Sequence, residues 1–230
     1  MRLRSGGLAL LLAAAGACAP AQDSPAPASD SDRTSSSVAG ATHGGGADDI
    51  APDAVDFVVV GDSITAGSDA LDGARAPGAG SWIPAAEAPG VVFGGGWAVA
   101  GATTTDMRRA VAASDADAVV ILAGTNDLLE GVSWTTSRAN LLAIVGITGV
   151  ADVLISTIPP LDAMPGQRQD FNERLRHLVA SQRWRLVDPW VAVDREGRWA
   201  TGASRDGIHP TTEVTADVGL SIRAALTGEG

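Results

Sequence analysis

The sequence predicts an α/β fold, a three-layer α/β/α sandwich around a central, mostly parallel sheet. Three observations carry this. Short apolar runs such as Phe57-Val58-Val59-Val60 and Ala118 to Ala123 recur along the chain, and continuous runs of this kind mark strands buried on both faces. Stretches between them place apolar residues at helical spacing, as in Phe171, Leu175, Leu178 and Val179. Strands alternating with helices build a parallel sheet covered on both sides. The chain of 230 residues, 45% of them hydrophobic, allows one domain of ordinary size with a real core.

The first residues read as a segment outside that domain. Arg2 and Arg4 give a positive start, Leu8 to Ala15 an apolar run, and Ala15-Gly16-Ala17 a small-residue cleavage site, the pattern of an export signal over residues 1–17. The run is too short to span a bilayer. Cys18 follows at once and is the only cysteine, so no intrachain disulfide can form. Ala15-Gly16-Ala17-Cys18 resembles the lipobox of bacterial lipoprotein signals, with Ala15 where such boxes usually carry leucine. That resemblance implies a lipid on Cys18; the alternative is simple secretion, with cleavage before Cys18 or after Ala21. Residues 18–53 are nearly all Ala, Ser, Pro, Gly, Asp and Thr. They have too little apolar surface to offset their ordering entropy, so a disordered tether is expected, with His43 a solvated linker histidine.

The folded domain is expected over residues 54–230. Val58 to Val60 form its first strand, and Gly61, Asp62 and Ser63 follow directly. Gly61 permits a sharp turn and Asp62 or Ser63 can cap a helix. A serine there lies beyond the carboxyl end of a strand, where open α/β sheets bind ligands. Val91 to Phe93 and Ala98 to Ala100 are two short strand candidates around Gly94 to Gly96. Ala118 to Ala123 and Val153 to Ser156 are clearer strands, and Arg185 to Val187 is the last. The Phe171 helix carries His177, which has no carboxylate partner in the pattern and reads as a surface or packing residue. Val214, Val218, Ile222 and Ala225 mark the final helix.

Three further stretches join the serine. Gly101 lies just past a strand, Gly124-Thr125-Asn126-Asp127 follows Ala118 to Ala123, and Asp206-Gly207-Ile208-His209-Pro210 precedes the last helix. Singly, each is an ordinary turn or helix cap. In this order, Gly61-Asp62-Ser63, Gly101, Gly124-Thr125-Asn126-Asp127 and Asp206 with His209 resemble the SGNH (GDSL-type) hydrolase family, over about Asp56 to Leu226. The resemblance implies a flavodoxin-like sandwich and a serine-dependent esterase.

A serine hydroxyl needs an adjacent base to act as a nucleophile. His209 is the only histidine outside the tether and the Phe171 helix, and Asp206 precedes it by three residues. If the turn folds back, the carboxylate holds one ring nitrogen and the other accepts the Ser63 proton. An imidazole base predicts activity that falls as the pH drops through the range where imidazole titrates. The resemblance implies an oxyanion hole from the Ser63 N–H, the Gly101 N–H and the Asn126 side chain. Two departures stand out: Ile64 replaces the leucine of Gly-Asp-Ser-Leu, and Gly96 stands where many members carry asparagine, five residues before Gly101. The Gly-x-Ser-x-Gly elbow of α/β-hydrolases is absent, which disfavours that fold. One histidine beside one carboxylate is too few ligands for a metal, so neither metal nor cofactor is expected.

A formal charge of −11 and a pI near 4.5 disfavour nucleic acid and anionic lipid surfaces as partners. The expected partner is a small-molecule or polysaccharide ester, the expected state a monomer, and membrane contact would come only through a lipid anchor. The expected location is extracellular or in the cell envelope. Short connections without a lid favour a short acyl group, such as acetyl on a carbohydrate. Trp82, Trp134 and Trp199 fall in or near loops; core packing is favoured over stacking on a sugar for each. Lysophospholipase or thioesterase action on lipids is the alternative chemistry, and a cell-surface glycan-binding module the alternative class. Intact Ser63, Asn126 and His209 favour the enzyme.

Overall fold

The computed structural model describes residues 54–67, 70–73 and 76–229. The expected export signal, Cys18 and the tether with His43 lie outside them. In chain order the elements are β1 (Val55–Gly61), α1 (Ser63–Ala66), β2 (Leu71–Gly73), α2 (Ile83–Ala86), β3 (Val91–Ala98), α3 (Thr104–Ala110), β4 (Ala118–Leu122) and α4 (Thr125–Leu129). Then follow α5 (Trp134–Thr148), β5 (Asp152–Ser156), α6 (Pro165–Gln182), β6 (Arg185–Val187), β7 (Asp194–Arg195), β8 (Arg198–Trp199) and α7 (Thr212–Thr227).

Six strands form one sheet in the order β2-β3-β1-β4-β5-β6. All neighbours are parallel except β2 on β3. Leaving β2 aside, the parallel strands follow the 2-1-3-4-5 order of flavodoxin-like sheets, whose ligand site lies at the switch point beside the first strand. A small β7–β8 hairpin stands apart. The expected three-layer sandwich is therefore the observed architecture.

The alternation of β1 explains the layers. Phe57 and Val59 point to one face and pack with Trp82 at the start of α2, Ile83 within it, and Val218 and Ile222 from α7. Val58 and Val60 point to the other, with Met107, Leu141, Ile144, Phe171 and Leu175 from α3, α5 and α6. Complete burial of such side chains contributes about 1.5–3 kcal/mol each. The tryptophans belong to this packing. Trp82 is buried and stacked on Phe57, Trp199 meets Trp190 edge-on, and Trp134 meets Phe171 edge-on.

β3 departs from expectation. Two short strands around the glycines were expected; one strand runs through them, and Val99 and Ala100 belong to the following turn. The register against β1 shifts between Phe57 and Val58, so that Phe57 pairs with Phe93 but Val58 with Gly95. That shift is a β-bulge, which glycine accommodates. At Gly96 φ is +139°, and a β-carbon would come within 2.1 Å of the Val59 carbonyl oxygen. No side chain can stand there, which accounts for glycine where the resemblance leads one to expect asparagine.

Candidate active site

Register places the site. Gly61 at the end of β1 pairs with Ala98 at the end of β3 and with Leu122 at the end of β4. Ser63, Gly101 and Asn126 lie two, three and four residues past those aligned ends, so all three gather at the carboxyl edge beside the switch point. The Val99 N–H donates to the Gly61 carbonyl at 3.4 Å, holding the second turn against the first.

Ser63 opens the one-turn helix α1. Asp62 caps it, its Oδ1 accepting the Ile64 N–H at 3.0 Å, as an N-cap aspartate does. Asp62 is completely buried, and its Oδ2 has no hydrogen-bond partner among the described residues. Burial pushes its carboxyl up to about 6, against the Ile64 N–H and the attraction of His209, which pull it down.

His209 reaches Ser63 from the turn before α7. Its Nε2 lies 2.9 Å from the Ser63 Oγ, and its Nδ1 lies 2.8 Å from the Asp206 Oδ2. Asp206 Oδ1 accepts the backbone N–H groups of Ile208 at 3.0 Å and His209 at 2.7 Å. Burial raises the Asp206 carboxyl, but the donors of His209 and Ile208 outweigh it and bring it down to about 2. An ionised carboxylate only accepts, so Nδ1 carries the proton of the neutral ring and Nε2 is left to accept from the serine.

The turn is closed by a residue the sequence pattern does not single out. Ser204 donates its hydroxyl to the His209 carbonyl at 2.7 Å and accepts the Gly207 N–H at 2.9 Å. Below it, the Asp162 N–H donates to the Gly207 carbonyl, while Asp162 Oδ1 accepts the Trp199 N–H at 2.9 Å. These contacts tie the β7–β8 hairpin and the Asp206 turn to the segment after β5. Their partners lie far apart in the chain, and no local pattern announces them.

Three donors lie at the edge of the sheet that carries the serine. The N–H groups of Ser63 and Gly101 have no hydrogen-bond partner among the described residues. Gly101 adopts φ +78° and stands exposed, with nothing near the place of a β-carbon; its backbone conformation, rather than space, calls for glycine. Asn126 spends one Nδ2 hydrogen on the Ala102 carbonyl at 3.0 Å, which leaves a second for a ligand. The geometry thus holds a hydroxyl on a base and unpaired neutral donors at one edge, an arrangement able to attack a carbonyl and receive its oxygen.

A family model of GDSL-like lipases and acylhydrolases matches residues 59–215, a span that includes Ser63, Gly101, Asn126, Asp206 and His209. The chain belongs to the GDSL-like lipase/acylhydrolase family. Solved structures of similar fold include the lipase/acylhydrolase from Enterococcus faecalis, at 22% identity over 76% of this chain and 96% of that one, TM-score 0.59. A variant of an acetyl xylan esterase from Geobacillus stearothermophilus is 16% identical over 75% and 94% of the two chains, TM-score 0.60. A GDSL-like lipase from Bacteroides thetaiotaomicron is 18% identical over 76% and 89%, TM-score 0.58. No curated protein matches the sequence. Membership in the GDSL-like family implies acylhydrolase chemistry, and the low identities show a shared fold without choosing a substrate.

Of the surface and packing roles open to His177, the structure shows the first: it is exposed on α6. Among the described residues no group of three or more His, Cys, Asp or Glu side chains is placed to hold a metal ion.

Proposed function

We propose that the protein is a serine-dependent carboxylic ester hydrolase, with short-acyl esters of a carbohydrate, O-acetyl groups above all, as its substrates. The single observation that carries this is the continuous chain from Ser63 Oγ through the His209 ring to Asp206, at 2.9 and 2.8 Å. In this reading Ser63 Oγ attacks the ester carbonyl carbon and its proton passes to His209 Nε2. The oxyanion that forms is received by the Ser63 and Gly101 N–H groups and the free Asn126 N–H. Collapse expels the alcohol, which takes the proton from His209, and leaves an acyl group on Ser63. Water then attacks that acyl group, gives its proton to His209, and the acid departs as Ser63 is restored. Asp206 holds the ring and stabilises the imidazolium.

The acetyl preference rests on the short connections around the site and on the likeness in fold to an acetyl xylan esterase. The reading includes export through residues 1–17 and lipid attachment at Cys18, which would hold the domain at the cell surface on its tether. A monomer suffices for it, because every residue invoked comes from one chain.

The test is hydrolysis of p-nitrophenyl esters of rising acyl length by the protein and its Ser63→Ala variant. Rapid turnover of acetate that falls with chain length and vanishes in the variant supports the reading. A preference for long chains moves the assignment to lipid substrates. Equal rates for the two proteins would leave a glycan-binding module as the better account.

A further inference from the structure

Behind the donors lies a buried polar cluster that the proposed reaction does not use. Asp127 is completely buried between α3, α4 and α5. Its Oδ1 accepts the Thr104 N–H at 2.8 Å, and its Oδ2 accepts the Thr104 hydroxyl at 2.7 Å and the Ser137 hydroxyl. Asn140 extends the cluster, donating to the hydroxyls of Thr104 at 3.1 Å and Thr105 at 3.0 Å. The Asp127 carbonyl accepts the Val132 N–H at 2.8 Å, so the turn after α4 hangs on the same residue.

We propose that Asp127 is the positioning residue of the oxyanion hole, setting the Gly101 N–H and the Asn126 amide at a fixed mutual geometry. The inference rests on the ester-hydrolase reading above. Two ties run between the segments that carry these donors, in opposite directions. Asn126 donates to Ala102, the neighbour of Gly101, and Thr104 donates twice to Asp127, the neighbour of Asn126. The turn holding Gly101 is thus pinned at one end by Val99 on Gly61 and at the other by Thr104 on Asp127. α4 is only five residues long, too short to hold its own shape, so its first turn takes its place from these contacts.

Only a carboxylate serves here. It accepts three donors on two oxygens, whereas an amide of the same shape accepts on one oxygen and presents hydrogens to the Thr104 and Ser137 hydroxyls. Asp127→Asn therefore keeps the volume and disturbs the aim of the Asn126 amide relative to the Gly101 N–H. Buried networks of this kind make a site rigid when every member is satisfied.

The experiment measures kcat and KM on p-nitrophenyl acetate for the full chain and for Asn126→Ala, Asp127→Asn and the double variant, with thermal unfolding of each. Asp127→Asn is expected to lower kcat at least about tenfold with KM within about threefold. The double variant is expected within about threefold of Asn126→Ala alone, because without the Asn126 amide there is no mutual geometry left for Asp127 to hold, and the Gly101 turn keeps its tie through Val99 to Gly61. Losses that multiply, or an Asp127→Asn kcat within about twofold of the parent, overturn the proposal while leaving the esterase reading intact. A parent protein inactive on every ester overturns both. If Asp127→Asn does not fold, Ser137→Ala replaces it, since it removes one of the three donors. A kcat loss of about threefold that disappears in the Asn126→Ala background then supports the role, and an unchanged kcat overturns it.

Discussion

Two aspartates stand beside Ser63, and their surroundings drive them in opposite directions. Asp206 is half exposed and gathers the Ile208 N–H, the His209 N–H and the His209 ring. Burial works against its charge, but those donors win and its carboxyl falls to about 2. Asp62 is fully buried with a single backbone donor and an oxygen without a partner, and burial lifts it to about 6. Depth of burial first, and the number of donors that answer it second, decide which carboxylate is comfortable as an anion. In the proposed mechanism one charge supports the imidazolium, and the other accompanies a helix cap that does not need it.

The comparison breaks most sharply at Asp206. Asp206→Asn keeps a group near His209 Nδ1 but removes the acceptor that fixes the ring proton there. A fall in kcat on the order of 10³-fold is expected, with a melting temperature within a few degrees of the parent. Steady-state kinetics beside calorimetry checks both. A loss below about tenfold would mean that Asp206 does not orient the histidine. Next in size is Asn126→Ala, which removes one neutral donor and should cost roughly 10²-fold in kcat. If kcat changes by less than about threefold, Asn126 is outside the oxyanion hole.

How much of this was legible in the sequence depends on the range of the interactions. β1, β4 and β5, and α6 and α7 of the three long helices, follow from apolar runs and spacing because the burial pattern of each is written in its own residues. Ser63, Asp206 and His209 stand out because their blocks follow the order of the family the chain resembles, and the fold brings their side chains into contact. β3 reads as two strands in the sequence, since three glycines look like a break while the β1 residues that crowd them, Asp56 against Gly94 and Val59 against Gly96, are out of sight. β2 is three residues long and gains its place only by pairing with β3. Ser204 and Asp162 act through backbone groups of distant segments, so neither carries a pattern. Asp127 appears in the third block beside Asn126, but its partners Thr104 and Ser137 are known only from the fold.

Asp62→Asn is the smallest of these effects and separates the two aspartates most cleanly. The amide can keep the cap on Ile64 through its oxygen while removing the ionisable group. Activity is expected to stay within about tenfold of the parent, far from the Asp206→Asn loss. The stability consequence has a definite sign. Asp62 has a folded value of about 6 against an ordinary 3.8, so between those values the folded state holds the proton longer than the unfolded chain. Stability therefore falls as pH rises from about 4 to about 6, and the full cost is present above that. Asp206, at about 2 against 3.8, works the other way, adding stability above about pH 4 that is lost as pH falls towards 2. The two windows adjoin without overlapping. Melting temperatures measured from pH 3 to pH 8 should show Asp62→Asn stabilised by roughly 3 °C or more at pH 8 and matching the parent near pH 4. A shallower slope of the same sign should remain, because burial and the nearby Asp117 and Asp115 also raise Asp56. A variant equally displaced from the parent at pH 4 and pH 8 would show that the cap itself, and not the buried charge, governs this position.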